Sequence, residues 1–182
     1  IMQDEYYANC SGIFTMGKWL AKDLIDRCHI DPIKVHTVGA GINVDSSQID
    51  GSERTSNRIL FIGRSFKRKG GDLVIKAFRE LRKRRPDVEL FLAGPRVNPV
   101  ESELPGCHFI GDCSKREITV LLNKCDVFVM PSYFEAYGIA FVEALAFGLP
   151  VIGRKTCEMP YIIEEGKSGF MLEEEEEDPT VL

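Results

Sequence analysis

Several things are missing from this 182-residue chain, and each absence removes a class of protein. No apolar run approaches the roughly 20 residues needed to span a bilayer as a helix. The opening IMQDEYYANC has neither the basic flank nor the apolar core of a signal peptide. Cys10, Cys28, Cys107, Cys113, Cys125 and Cys157 are scattered, with no CxxC pair and no zinc-finger spacing. Most lie in or beside apolar runs, where a thiol behaves as a small hydrophobe, and the pattern points to a reducing cytosol. His29, His36 and His108 stand apart, so no metal cluster is spelled out. No strand is followed by GxGxxG, which argues against a dinucleotide dehydrogenase, and no loop reads GxxxxGK[ST]. There is no internal repeat.

A strong charge of one sign is missing too, once the acidic run Glu173–Asp178 is set aside. Six of the 28 acidic residues lie in that run, which leaves 22 against 23 basic ones. A nearly neutral body carries no global field that would attract nucleic acid. The basic run Arg79–Arg85 (RELRKRR) has no interleaved aromatics for base stacking, and cations suit the C-terminal end of a helix. A peripheral contact with the inner membrane surface is the other use that run suggests.

What is present is a regular alternation. Ser11–Thr15 reads as a strand, Met16–Cys28 as a helix with Trp19, Leu20, Leu24 and Ile25 on one stripe, and Lys34–Val38 as a strand. The polar connection Ser46–Asn57 is the best linker candidate. Strands then follow at Ile59–Ile62, Glu89–Ala93, His108–Ile110, Val127–Met130, Val151–Ile152 and Gly169–Leu172. Between them come helices at Asp72–Arg85, Lys115–Lys124, Ile139–Phe147 and about Tyr161–Glu164. The first of these helices should bury Leu73, Val74, Ala77, Phe78 and Leu81. Apolar strands alternating with amphipathic helices predict α/β architecture, a Rossmann-like parallel sheet with helices on both faces.

In such a sheet ligands bind outside the carboxyl ends of the strands. The loop Gly63–Gly71 (GRSFKRKGG) offers Arg64, Lys67, Arg68 and Lys69 just before a helix start, where free N–H groups and the helix dipole favour an anion. The loop Pro131–Gly138 (PSYFEAYG) leads to a second helix start at Gly138-Ile139. Two such starts and several cations on one edge suit a diphosphate. Glu143 is the only charge in the otherwise apolar Ile139–Phe147, so it needs a partner. That partner is either a nearby Lys or Arg or a vicinal diol such as a ribose. Glu135, in the loop, either faces the group beyond the phosphates or is solvated.

These motifs together resemble one family. FEAYGIAFVEALAFGLPVIG is similar to the signature of the "group 1" retaining nucleotide-sugar glycosyltransferases (family 4, GT-B fold), in which two glutamates flank seven residues. GINVD, FIGRSFKRKGG, DVELFLAG and FIGDCSKREITVLLNKCDVFVMPS resemble its other landmarks in the same order. The likeness runs from about Val35 to Leu172. It implies Gly63, Arg64 and Lys69 at the donor diphosphate, Glu143 on the ribose hydroxyls, and Glu135 at the transferred sugar. The Tyr137-Gly138-Ile139 backbone would lie near the sugar and phosphates. Glu135 would be either a nucleophile or a group that orients the sugar for front-face attack. Such an enzyme needs no bound metal, because cations and helix N–H groups stabilise the leaving nucleoside diphosphate.

The resemblance also sets expectations about organisation. Residues 1–38 would be the last strand and helix of an N-terminal acceptor domain, or an inter-domain segment. Residues 39–172 would form the C-terminal, donor-binding half of a two-domain architecture, and residues 173–182 a disordered or truncated acidic tail. The lack of an initiating methionine fits an excised segment. The implied donor is a UDP-, GDP- or ADP-sugar, the acceptor a carbohydrate, lipid or other molecule held by the domain that is missing, and the setting the cytoplasm or the inner membrane surface. The alternative is a nucleotide-sugar-binding module without catalysis of its own. One departure stands out: KTCEMPY puts Tyr161 where the family tends to have a glutamate after proline.

Overall fold

The computed structural model describes residues 2–52, 54–100 and 103–182. Ile1 of the amino-terminal segment, Glu53 of the polar connection, and Glu101 and Ser102 of the loop before the third long strand lie outside the described residues. The amino-terminal part contains α1 (Met2–Asn9), β1 (Ile13–Thr15), α2 (Lys18–Asp26) and β2 (Val35–Thr37). β1 and β2 pair in parallel, Ile13 opposite Val35 and Thr15 opposite Thr37. α1 is absent from the sequence reading because MQDEYYAN has no apolar stripe to announce a helix. In α2, Ala21 and Leu24 are buried while Leu20 faces solvent.

The larger part is one parallel sheet. Its elements are β3 (Arg58–Ile62), α3 (Gly71–Arg84), β4 (Glu89–Ala93), β5 (Cys107–Gly111), α4 (Lys115–Lys124), β6 (Val127–Val129), α5 (Ile139–Ala146), β7 (Val151–Arg154), α6 (Met159–Ile162) and β8 (Gly169–Leu172). The strand order is β5-β4-β3-β6-β7-β8, and every pairing is parallel. This is the Rossmann-like α/β arrangement expected. After β5 the chain returns through α4 to the other side of β3, so the direction of winding reverses between β3 and β6. In such sheets a crevice opens at that reversal, outside the carboxyl ends of the two strands.

The strand alternation assigns the helices to their faces. Phe128 of β6 meets Phe141 of α5 edge-on, ring centroids 5.1 Å apart, and both side chains are fully buried. Val127 and Val129 point to the opposite face, where Ile59 and Ile152 line an apolar groove with Val74, Phe78 and Leu81 of α3. Leu81 was expected in the core; it is 37% exposed because it sits at the rim of that groove. α4 starts with a capping box, Ser114 and Glu117 each bonding the other's backbone N–H. Asp126, just before β6, accepts from the N–H groups of Asn57 (3.1 Å) and Arg58 (2.9 Å) and so aligns the two central strands.

Three expectations change. The polar connection is tied down: Asp50 N–H and Gln48 O bond the Asn123 amide at 2.7 Å each. Arg54 donates to the carbonyls of Leu122 and Phe147, the latter at the C-terminal end of α5, where a cation is favoured. The acidic run also has partners in the fold. Arg154, 1% exposed, donates to the carbonyls of Glu173, Glu174 and Glu176, while the Glu177 carboxylate accepts from the Tyr133 hydroxyl at 2.9 Å and Glu173 pairs with Lys155. Finally, α6 begins at Met159 rather than Tyr161, because Pro160 suits the first helical turn.

Candidate functional site

The two loops singled out from the sequence leave adjacent strands at the reversal point. Gly63 ends β3, its N–H donating to Ala93 O at 2.9 Å, and the loop runs to Gly70, which starts α3. Pro131 follows β6, and the second loop runs to Gly138, which starts α5. Gly70 (φ 75°) and Gly138 (φ 86°) are both left-handed. A Cβ on the first would strike the Pro131 carbonyl, and one on the second the Met159 methyl. Only glycine turns these corners without strain.

The loops are stitched to each other. Arg68 O accepts from Tyr133 N–H (3.0 Å) and from the buried Ser132 hydroxyl (3.3 Å), and the Arg68 guanidinium donates to Phe134 O (2.7 Å). Arg68 therefore positions the second loop instead of standing free as a cation. The sequence offered no separate signal for this beyond Ser132 directly after a buried strand.

The predicted charged residues do converge, with partners the sequence did not name. Lys69 and Glu135 form an ion pair, their side chains only 16% and 13% exposed. Arg64 reaches across to Asp112, donating from Nε (3.0 Å) and Nη2 (2.8 Å) to one carboxylate oxygen. That pair is open to solvent, at 69% and 44% exposure. Lys69 and Glu135 are thus held together at low exposure, whereas water screens Arg64 and Asp112.

Glu143 is 8% exposed, and its partner is neither a Lys nor an Arg. One carboxylate oxygen accepts the Asn43 backbone N–H at 2.9 Å. The other accepts no hydrogen bond among the described residues. The Gly41–Asp45 turn thereby packs on α5. Beside it, the Ala40 N–H donates to the Tyr137 hydroxyl oxygen at 2.9 Å. Ile139 follows Gly138 at the start of α5, and no side chain caps that end. Among the described residues the N–H groups of Gly138, Ile139 and Ala140 have no acceptor, so this helix start offers donors to a ligand.

Two further residues escaped the sequence reading. Glu158, 4% exposed, accepts from Lys18 N–H (2.9 Å) and Trp19 N–H (2.7 Å) and so caps α2 from another part of the chain. The Trp19 and Phe134 rings meet edge-on at 6.4 Å, and Lys18 lies over Tyr161 at 5.9 Å. The amino-terminal part is docked beside the Glu135 loop by these contacts. Arg154 backs that loop from below, donating to Pro131 O at 3.3 Å and lying 4.6 Å from the Tyr133 ring centre. A lone arginine at the end of an apolar strand was the available signal. Burial pushes the thiols of Cys107 and Cys125 up to about 11 and about 12 and raises that of Cys113, which disfavours their thiolates.

Residues 45–180 match the family model for glycosyl transferases group 1, and the chain belongs to that family. It is 27% identical over 179 residues to a D-inositol 3-phosphate glycosyltransferase of Corynebacterium kroppenstedtii, an alignment covering 83% of this chain and 40% of that protein. The chain thus spans well under half the length of the curated relatives it matches. Among solved structures it superposes on a glycosyltransferase from Rickettsia africae with a TM-score of 0.79 at 17% identity, covering 98% of this chain and 54% of the other. It also superposes on Anabaena HepE in complex with UDP-glucose, with a TM-score of 0.73 at 18% identity, covering 97% and 54%. At such identities the superpositions establish the shared fold.

Proposed function

We propose that this chain is the donor-binding unit of a retaining transferase, which moves a hexose-type sugar from a nucleoside-diphosphate sugar to an acceptor held elsewhere in a longer protein. The observation that carries this reading is the convergence at the β3/β6 crevice. Lys69 and Glu135 sit there at low exposure between two left-handed glycine corners, with the free N–H groups of α5 beside them. In this reading Arg64, Lys69, the turn at Gly63 and the helix donors at Gly138-Ile139 hold the diphosphate and stabilise the charge that grows on it as the sugar–phosphate bond breaks. The unoccupied oxygen of Glu143 takes the ribose hydroxyls, its other oxygen being fixed by Asn43. Glu135 and the Tyr137 backbone face the sugar. No step requires a metal.

The UDP-glucose of the HepE structure belongs to HepE, and it makes UDP-sugars the first donors to try, with GDP- and ADP-sugars beside them. Calorimetric titration of the chain, repeated on Lys69→Ala and Glu143→Ala, tests the assignment. At least one donor is expected to bind, and each variant to lose on the order of tenfold or more in affinity, as for a lost charge-assisted hydrogen bond. Absence of binding to all three classes, or unchanged affinity in both variants, would sink the reading.

A second reading, binding without transfer by this stretch alone, is favoured by its share of the relatives' length. The longer protein releasing nucleoside diphosphate only when an acceptor is present would separate transfer from binding. The setting proposed for it is the cytoplasm or the inner membrane surface. None of the described helices is long and apolar enough to cross a membrane.

A further inference from the structure

We infer that Glu135 is a specificity-determining residue: it competes with the diphosphate for Lys69, and the site thereby favours the sugar-bearing donor over the bare nucleoside diphosphate. The inference rests on the donor-site reading above and adds to it a role for the ion pair between Lys69 and Glu135.

The Lys69 ammonium, the least exposed cation of its loop, is paired with the Glu135 carboxylate. A second anion that approaches Lys69 meets either a cation whose charge is satisfied or a carboxylate beside it that repels. Drawing Lys69 toward a diphosphate leaves Glu135, 13% exposed, short of its counter-ion, and an under-solvated carboxylate without a partner is costly. No other hydrogen bond to the Glu135 carboxylate exists among the described residues to offset that loss.

The cost differs between the two ligands. A bare nucleoside diphosphate ends at its terminal phosphate and brings Glu135 nothing but like charge. A nucleotide sugar carries hydroxyl groups beyond the phosphates, and hydroxyls are donors that a carboxylate accepts. The sugar therefore restores the partners that the phosphate removes. Once the sugar has been transferred, those partners leave with it. Glu135 then returns to Lys69, and the binding of the remaining diphosphate is weakened. Arg64 does not act in this way, because its Asp112 partner is largely hydrated and can part from it at little cost.

The sign of the expected effect separates this role from a simple sugar contact. Titrations use UDP and UDP-glucose, GDP and GDP-mannose, and ADP and ADP-glucose with the unaltered chain, Glu135→Gln, Lys69→Gln and the double variant. Glu135→Gln is expected to bind the nucleoside diphosphate about tenfold more tightly than the unaltered chain, while its affinity for the matching nucleotide sugar rises less or falls. The gain is expected to shrink to about twofold or less in the Lys69→Gln background, as coupling through that lysine requires. Circular dichroism melts of each variant verify folding, and Glu135→Ser serves as a second variant should Glu135→Gln unfold. Unchanged or weaker nucleoside diphosphate binding in Glu135→Gln overturns the inference but leaves the donor site standing. An equal gain in the Lys69→Gln background overturns the competition for Lys69. No binding of any nucleotide by the unaltered chain overturns the inference together with the donor-site reading.

Discussion

One wall of the crevice runs from Gly63 to Gly71 after β3, and the other from Pro131 to Gly138 after β6. Each is a strand end, a loop, and a left-handed glycine that turns the chain into a helix without a side-chain cap, although at α3 the Gly70 and Gly71 N–H groups are bonded to Lys67 O and Phe66 O. Their side chains differ. The first wall carries Arg64, Lys67, Arg68 and Lys69, and α3 behind it is amphipathic with a basic outer face. The second carries Glu135 as its only charge, and α5 behind it is apolar but for Glu143. The shared backbone turn leaves the Gly138, Ile139 and Ala140 N–H groups without an acceptor among the described residues on the second wall, while the loop's own carbonyls take the Gly70 and Gly71 N–H groups on the first. In the proposed donor-binding reading the unlike side chains divide the remaining work, cations for phosphate on one wall and carboxylates for hydroxyl groups on the other.

The comparison can be broken most forcefully at the seat of α5. Phe141→Ala empties a fully buried ring position packed on Phe128 and should cost about 3–5 kcal/mol in denaturant unfolding. A loss below 1 kcal/mol would mean that Glu143 does not depend on a rigid second wall. The equivalence of the two corners is tested by Gly70→Ala and Gly138→Ala. Each is expected to lose about 1–3 kcal/mol, because both glycines are left-handed and both lack room for a Cβ. Damage at one corner alone would end the claim of a shared device.

The two ion pairs of the walls should separate next. Lys69→Met leaves Glu135 poorly solvated and unpaired, with an expected cost of about 1–3 kcal/mol. Arg64→Met, in a pair open to water, should change stability by less than about 1 kcal/mol. Thermal melts of the two variants side by side rank them. The smallest effect lies at the other end of the sheet, where the His108 ring, 2.9 Å away, and then Arg58 hold the Glu89 carboxyl below its usual 4.5. A carboxyl with a lowered folded value contributes stability that is present above about pH 4.5 and is lost as the pH falls through the folded value. Glu89→Gln should flatten that acid limb of the stability profile and leave the walls' ligand affinity unchanged near neutral pH.

Much of the fold could be read from periodicity. β4, α4 and β8 lie where the apolar pattern places them, because a buried strand and a capped amphipathic helix each impose a spacing on the chain. α1 could not be read so, since its residues carry no stripe. Glu143 shows where the candidate site ran past the sequence. The need for a partner followed from one charge in an apolar helix. That the partner is Asn43 N–H followed from nothing local, because backbone donors look alike in every sequence and 100 positions separate the two residues. Asp112 and Glu158 were passed over for the same reason, each an ordinary acidic residue until the fold sets it against Arg64 or against the start of α2.

The sequence by itself determined the parallel sheet, the two glycine-turned loops at its carboxyl edge, and the family to which the spacing of Glu135 and Glu143 belongs. Those features depend on local geometry and on residue types at short range. Only the tertiary structure decided that Lys69 lies against Glu135, that Arg64 is occupied by Asp112, and that the acidic run wraps a buried Arg154. Each of these contacts joins elements far apart in the chain, and electrostatic pairing depends on distance and exposure in space, which neighbouring residues do not encode.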